Sequence, residues 1–197
     1  MGKGEQTRAA VLDHALTRSS TIGLDGLSLG ELARDVGMSK SGLFAHFSSK
    51  EELQLRVIHR ARDRFVLKVV APALQQPRGE PRVRALIDNW ISWDTTELPG
   101  GCVFINFARE YDDRPGPLRD ALVAGQLDWV DTIETATKIA IEEKHFREDL
   151  DVPGFAFEAH GIVLAHVYYK RMLRDEQATA RTRKAFDRLV GRARNGR

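Results

Sequence analysis

The sequence predicts an all-α chain of about nine helices, a three-helix helix-turn-helix head followed by a larger helical body. Three observations carry this. No stretch sustains the alternation of apolar and polar residues, bounded by turn signals, that half-buried strands show. Apolar residues recur instead at helical spacing, most plainly at Val83, Leu86, Ile87, Trp90 and Ile91. Gly and Pro clusters at 98–101 and 114–117 separate such runs. With 197 residues, 42% of them hydrophobic, the chain can bury one core, or a small head fused to a larger body.

Residues 1–6 are expected to form a loose arm, and a first helix to span 6–21. Its residues Val11, Leu12, Ala15, Leu16 and Ile22 supply an apolar face, and Gly23 and Gly26 then break the chain. Ser28–Phe47, SLGELARDVGMSKSGLFAHF, reads as two short helices and a tight turn. Ser28 and Glu31 have the spacing of a capping box. The first helix runs to about Val36 and ends at Gly37, because only a residue without Cβ takes the left-handed conformation cheaply. Ser39 is placed to cap the second, where Leu43 and Phe47 share a face that Leu32, Ala33 and Val36 match. Such a pair is a helix-turn-helix, a motif that lays its second helix in the DNA major groove. Two helices this short need support from the first.

A long helix follows over about 49–71, with Glu51 and Glu52 in its first turn. Leu53, Val57, Ile58, Ala61 and Phe65 lie at helical spacing, and Pro72 bends or ends it. The body then offers a short helix at Cys102–Tyr111 and a long one from Leu118 to about Lys144. A loop at 145–154 precedes an apolar helix at Phe155–Leu173 and a last helix at 177–194. The chain therefore divides into a head, 1–50, and a regulatory body, 51–197.

The stretch GLDGLSLGELARDVGMSKSGLFAHFSSKEEL resembles the DNA-binding domain of the TetR family of bacterial transcriptional regulators. The matching features are Gly-x-x-Gly-x-Ser at Gly23–Ser28, Glu-Leu-Ala at 31–33 and Gly-Met-Ser-Lys-Ser at 37–41. Leu-Phe-x-His-Phe at 43–47 and Ser-Lys-Glu-Glu-Leu at 49–53 complete the run. The likeness covers about 6–57 in detail and rests on length and helical pattern beyond that.

Phosphate contacts position such a head and base contacts specify its site. Ser28 and Leu29 open a helix, where backbone N–H groups and a hydroxyl suit phosphate. Ser39, Lys40, Ser41 and Gly42 open the recognition helix and are expected to meet base edges. Lys40 can reach guanine O6 and N7, and Gly42 permits close backbone approach. Phe44 stands where the TetR pattern usually has Tyr, so a phosphate bond there is in doubt and a thymine methyl contact replaces it. Ala45 adds apolar contact, and His46 and Lys50 match family positions that hold the DNA backbone. The alternatives are a plain cap for Ser39, a structural ring for His46 and a solvated cation for Lys50. Lys3 either touches the backbone or is simply solvated. Leu32, Leu43 and Phe47 are core.

The net charge is only +2, so any DNA contact must come from locally placed cations. Residues 170–197 hold ten Lys/Arg against three Asp/Glu, read as a solvated helix face rather than an extended DNA contact. One cysteine excludes an internal disulfide and a cysteine metal cluster. No apolar run has the length of a bilayer span and MGKGEQTR lacks the core of a signal peptide, so a soluble cytoplasmic protein without cofactor or metal is expected.

Each good base contact is worth roughly 1–3 kcal/mol, so one small head falls short of specific affinity and a dimer on a palindromic operator is expected. The family's last two helices form its dimer bundle. Here Phe155, Phe157, Ile162, Val163, Ala165, Val167, Phe186 and Leu189 are the candidates, each equally a candidate for intrachain core. The resemblance also implies a body cavity and a small-molecule effector that weakens DNA binding. Trp90, Trp93, Phe104, Phe107, Tyr111, Trp129, His160 and Tyr168 would suit an apolar or aromatic compound, although aromatics at helical spacing are more often core. His160 reads better as a satisfied core histidine and Cys102 as a buried thiol rather than a redox sensor. A helical enzyme or sequestering binder is the reading from another class. His14, His145, Glu110 and His160 form no recognised catalytic spacing, and Glu142, Glu143 and His145 sit at a charged helix end. A third reading is an activator or architectural DNA binder without an effector.

Overall fold

The helical periodicity of the sequence is realised throughout. A computed structural model describes residues 2–194 and forms nine continuous helical segments with no strand among them. Any contact by the Lys3 side chain, and the last basic residue Arg197, lie outside what is described. The chain divides into two compact units: residues up to Arg64 with Thr96–Gly125, and Phe65–Thr95 with residues from Gln126 on. This division differs from a single cut at residue 50, because a helix remote in sequence joins the head.

In the first unit, α1 spans Lys3–Ile22 and so takes in most of the expected loose arm. The Gly2 N–H donates to the Glu5 carboxylate (2.9 Å) and the Glu5 N–H to the Gly2 carbonyl (3.0 Å), which closes the first turn three residues early. Val11, Ala15 and Leu16 are buried as expected, whereas Ile22, the last residue of α1, is 44% exposed. α2 is Leu29–Asp35 and α3 Lys40–Phe44. Gly37 between them has φ +67°, and the Met38 N–H reaches back to the Ala33 carbonyl at 2.8 Å. Leu24, Leu27, Leu32, Leu43, Phe47 and Leu53 are all at most 1% exposed, so the head has its own core. α6, Val103–Tyr111, belongs to this unit.

α4 covers 50–74: an α-helix over Lys50–Phe65, a π-helical turn over Val66–Val70 and a final turn over Ala71–Leu74. The helix therefore runs two residues past Pro72. The π turn, closed by the Ala71 N–H on the Val66 carbonyl, loosens the backbone just before the ring that would otherwise clash with it. α5 covers 80–97, with a π turn at Trp93–Glu97. α7 is Pro117–Glu142.

In the second unit, α8 covers 152–172 and ends in a π turn at Tyr168–Met172, and α9 is Ala178–Ala193, packed along α8. α8 starts three residues before the expected Phe155 because Asp151 caps it, its carboxylate accepting from the Gly154 N–H at 3.1 Å. Val83, Leu86, Ile87, Trp90 and Ile91 are all buried, as their spacing predicts. Phe155 stands between Phe146 and Phe186, with ring centroids 5.5 and 6.5 Å away. Five basic residues near the C-terminus meet acids within this unit: Arg171 with Asp94, Arg181 with Asp175, Arg183 with Asp88, Arg192 with Glu158 and Arg194 with Glu80. No helix among the described residues is long and apolar enough to cross a membrane.

Candidate nucleic-acid interface

Ser39 builds the corner of the motif. Its hydroxyl accepts from the Gly42 N–H at 3.0 Å, the cap its position predicts, and lies 3.2 Å from the Ser41 hydroxyl. A Cβ on Gly42 would stand 3.1 Å from the Ser39 oxygen, so glycine also lets this cap close. With Leu43 and Phe47 buried beneath, Ser39, Lys40, Ser41, Phe44 and Ala45 are turned outward, and Phe44 is 41% exposed. His46 is half-buried, its ring 6.5 Å from that of Phe47.

Ser28 occupies the N-cap of α2 and Leu29 its first turn, but the expected capping box does not form. Glu31 is drawn instead to Arg18 of α1 (2.5 Å), which Asp35 also meets (2.5 Å). A charged partner across the helix pair outcompetes a neutral N–H. Ser28 is left exposed. At α4 the Ser49 hydroxyl accepts from the Glu52 N–H (3.0 Å), and Glu52 reaches one residue further back, accepting from the Ser48 N–H (2.8 Å) and hydroxyl (2.6 Å). These bonds from Ser48, with Arg8 nearby, hold the Glu52 carboxyl below its ordinary range. The Ser-x-x-Glu spacing at 49–52 was the available signal.

Residues 23–26 lead into this surface, and their polar groups are held by side chains. The Glu110 carboxylate, from α6, accepts from both the Leu24 N–H (3.0 Å) and the Asp25 N–H (2.9 Å). The buried Gln54 donates to the Leu24 carbonyl (3.0 Å), and Lys50 Nζ donates to the Asp25 carbonyl (2.6 Å). The Tyr111 hydroxyl donates to Asp25 Oδ1 (2.5 Å), and Arg114 pairs with Oδ2. The Tyr111 bond, then Arg114, keep the Asp25 carboxyl below its ordinary value, while burial and the Asp25 charge push the Tyr111 phenol up. Gly23, at φ +80°, belongs to the same arrangement: a Cβ there would come within 2.9 Å of the Glu110 carboxyl carbon. Asp25, Glu110 and Arg114 were not anticipated from sequence, since they lie 85 or more residues apart across the clasp.

The expected effector-lining set is divided. Phe104, Phe107 and Tyr111 lie in the first unit, Trp90, Trp93, Trp129, His160 and Tyr168 in the second. Tyr111 is buried and donates its hydroxyl to Asp25, and Tyr168 is 56% exposed beside Tyr169. Trp93 and Trp129 both meet Phe65 edge-on, with centroids 5.4 and 5.2 Å away. The Trp129 indole N–H is buried and makes no hydrogen bond among the described residues. His160 is half-buried, and burial lowers its pKa. An open recess of about 390 Å³ between α8 and α9 is lined by other residues, among them His166, Tyr169, Arg181 and Thr182.

The expected interface residues sort by burial. Phe155, Val163, Phe186 and Leu189 are at most 5% exposed within the protomer and pack as core there. Phe157 is 80% exposed, Ala165 is exposed, and Ile162 and Val167 are half-buried. Glu142 and Glu143 pair with Arg78, and the His145 Nδ1 accepts from the Glu80 N–H (3.1 Å). Among the described residues no group of three or more His, Cys, Asp or Glu is placed to hold a metal ion, and Cys102 is buried.

A helix-turn-helix head on a long helical body defines a class of DNA-binding regulators. Residues 11–57 match the family model of bacterial regulatory proteins of the tetR family, and residues 79–186 match that of a tetracyclin repressor-like C-terminal domain. The chain belongs to the TetR family of transcriptional regulators. Among solved structures, a TetR-family regulator from Cytophaga hutchinsonii is similar at a TM-score of 0.87 and 20% identity, over 100% of this chain and 99% of that one. A TetR regulator from Chloroflexus aurantiacus J-10-FL is similar at 0.86 and 26%, over 97% and 96%. AibR, solved in complex with isovaleryl coenzyme A and operator DNA, is similar at 0.72 and 26%, over 94% and 96%. Comparison with curated proteins returned no match.

Proposed function

We propose that this regulator is a repressor that binds a palindromic operator as a homodimer and leaves it when a small molecule binds the body. The observation that carries the reading is the outward row of Ser39, Lys40, Ser41, Phe44 and Ala45 over a fully buried Leu43 and Phe47. Lys40 and the two serines would read base edges, Phe44 and Ala45 would meet thymine methyls, and Gly42 would let the backbone approach. Ser28, Leu29, His46 and Lys50 would hold phosphates.

The dimer is supported by the outer side of α8, where Phe157, Leu164, Tyr168 and Met172 are 80, 44, 56 and 73% exposed. Their spacing places them along one helical stripe, with Ala165 beside it and Ile162 and Val167 at its rim. The effector is supported by two facts. The buried Trp129 N–H finds no acceptor among the described residues, and a carbonyl or ether oxygen of a ligand would supply one. AibR, 26% identical, was solved with isovaleryl coenzyme A as well as operator DNA. Such a ligand acts only by binding the DNA-free state better than the DNA-bound one.

The test is a gel-shift titration of the purified protein on DNA flanking its gene, followed by random-sequence selection, at two salt concentrations. A specific, salt-dependent shift at two chains per palindrome supports the reading, and isovaleryl coenzyme A and small aromatic compounds are then screened for release. Failure of both flanking and selected DNA to bind would overturn it.

A further inference from the structure

The loop that leads into the helix-turn-helix is clasped from α4 and from the end of α6. The Leu24 and Asp25 N–H groups both go to Glu110; the two carbonyls go to Gln54 and Lys50; the Asp25 carboxylate goes to Tyr111 and Arg114. Solvent could have satisfied all of these groups on an exposed loop. Side chains from α4, from α6 and from Arg114 just after it satisfy them instead, so the loop is defined from both helices. Three residues later the chain enters α2 at Ser28, and the same loop holds the amine of Lys50 at the start of α4.

The geometry points to Glu110, Tyr111 and Asp25 as positioning residues for DNA binding: the α6 clasp on residues 23–26 fixes the start of α2 and the Lys50 amine relative to the recognition helix. The clasp accounts for the first glycine of the Gly-x-x-Gly lead-in and the end of α1 for the second. Gly23 admits the Glu110 carboxyl, and a Cβ at Gly26 would overlap the Ile22 carbonyl. This inference rests on the proposed DNA-binding surface.

The experiment compares Glu110→Gln and Tyr111→Phe with the unaltered full-length protein on selected operator DNA over a range of salt concentrations. Tyr111→Phe keeps the ring and removes one hydroxyl, so it is the variant that preserves packing. Lys50→Ala is the comparator, expected to flatten the salt slope by roughly 1 if it holds a phosphate. Both clasp variants are expected to weaken specific binding roughly 3- to 30-fold, with the salt slope and the DNA-competent fraction unchanged. Amide exchange at Leu24 and Asp25 should quicken while the buried amides of α1 stay protected. A slope reduced by about one would make the residue a phosphate contact and overturn the inference. So would wild-type affinity in Tyr111→Phe despite faster exchange at 24 and 25, or a loss of affinity matched by a loss of competent protein. Failure of the unaltered protein to bind any selected DNA would instead refute the underlying surface.

Discussion

Gly100→Ala tests whether α6 belongs to the head. The turn before α6 lies against the last turn of α1: the Gly100 N–H donates to the Ser20 hydroxyl (3.0 Å), and Asn106 donates to the Ser20 carbonyl (3.3 Å). A Cβ on Gly100 would overlap the Ser20 carbonyl group and stand 2.8 Å from the Thr21 nitrogen. These are backbone atoms, so the turn must lift from α1. Non-bonded heavy atoms rest about 3.5 Å apart, and overpacking of this kind costs roughly 1–3 kcal/mol. Losing two hydrogen bonds adds about 1 kcal/mol each. The smaller entropy of the unfolded alanine chain returns less than about 1 kcal/mol. The net loss of about 3 kcal/mol should lower Tm by roughly 6–12 °C for a chain of this size. Circular dichroism melts measure it. Gly125→Ala, where a Cβ meets nothing within 4 Å, is the control and should be neutral or slightly stabilising. A Gly100→Ala melt within 2 °C (about 0.5–1 kcal/mol) of the unaltered protein would refute the seating of this turn on α1.

The other predictions concern the surface, the dimer and two charged sites. Lys40→Ala should weaken operator binding about tenfold, one good base contact, with the dimer intact; unchanged affinity and sequence preference in anisotropy titrations would refute the recognition-helix reading. Phe157→Asp places a charge on the most exposed apolar residue of α8 and should shift sedimentation velocity toward monomer while the melt is nearly unchanged; an unchanged dimer would move the interface elsewhere. Asp94 is fully buried, 3.5 Å from both His166 Nε2 and Arg171 Nε; Asp94→Ala should cost about 3 kcal/mol in urea unfolding, and an unshifted midpoint would show the network to be idle. Asp25 is favoured in its charged form by Tyr111 and Arg114, so its contribution is present above the ordinary value of 3.8 and is lost as pH falls below it; a carboxyl titration with its midpoint at or above 3.8 would remove that link.

How much was legible follows the range of each signal. The turn at Gly37, the Ser39 cap and the stripe from Val83 to Ile91 are decided within about one or two helical turns, and the sequence alone determined them. So too the all-α class and the outward row of the recognition helix, because Leu43 and Phe47 fix which side faces in. Tertiary structure decided wherever a partner far along the chain competed with a local one. Arg18 took Glu31 from its capping box, and Glu110 and Tyr111 came from some 85 residues away to hold Asp25. The aromatic and interface sets show the same limit. Periodicity identifies an apolar residue, yet Phe155 and Phe157 differ by two positions and are 2% and 80% exposed. Burial depends on which neighbour covers a face, and a helix's own sequence does not contain its neighbour.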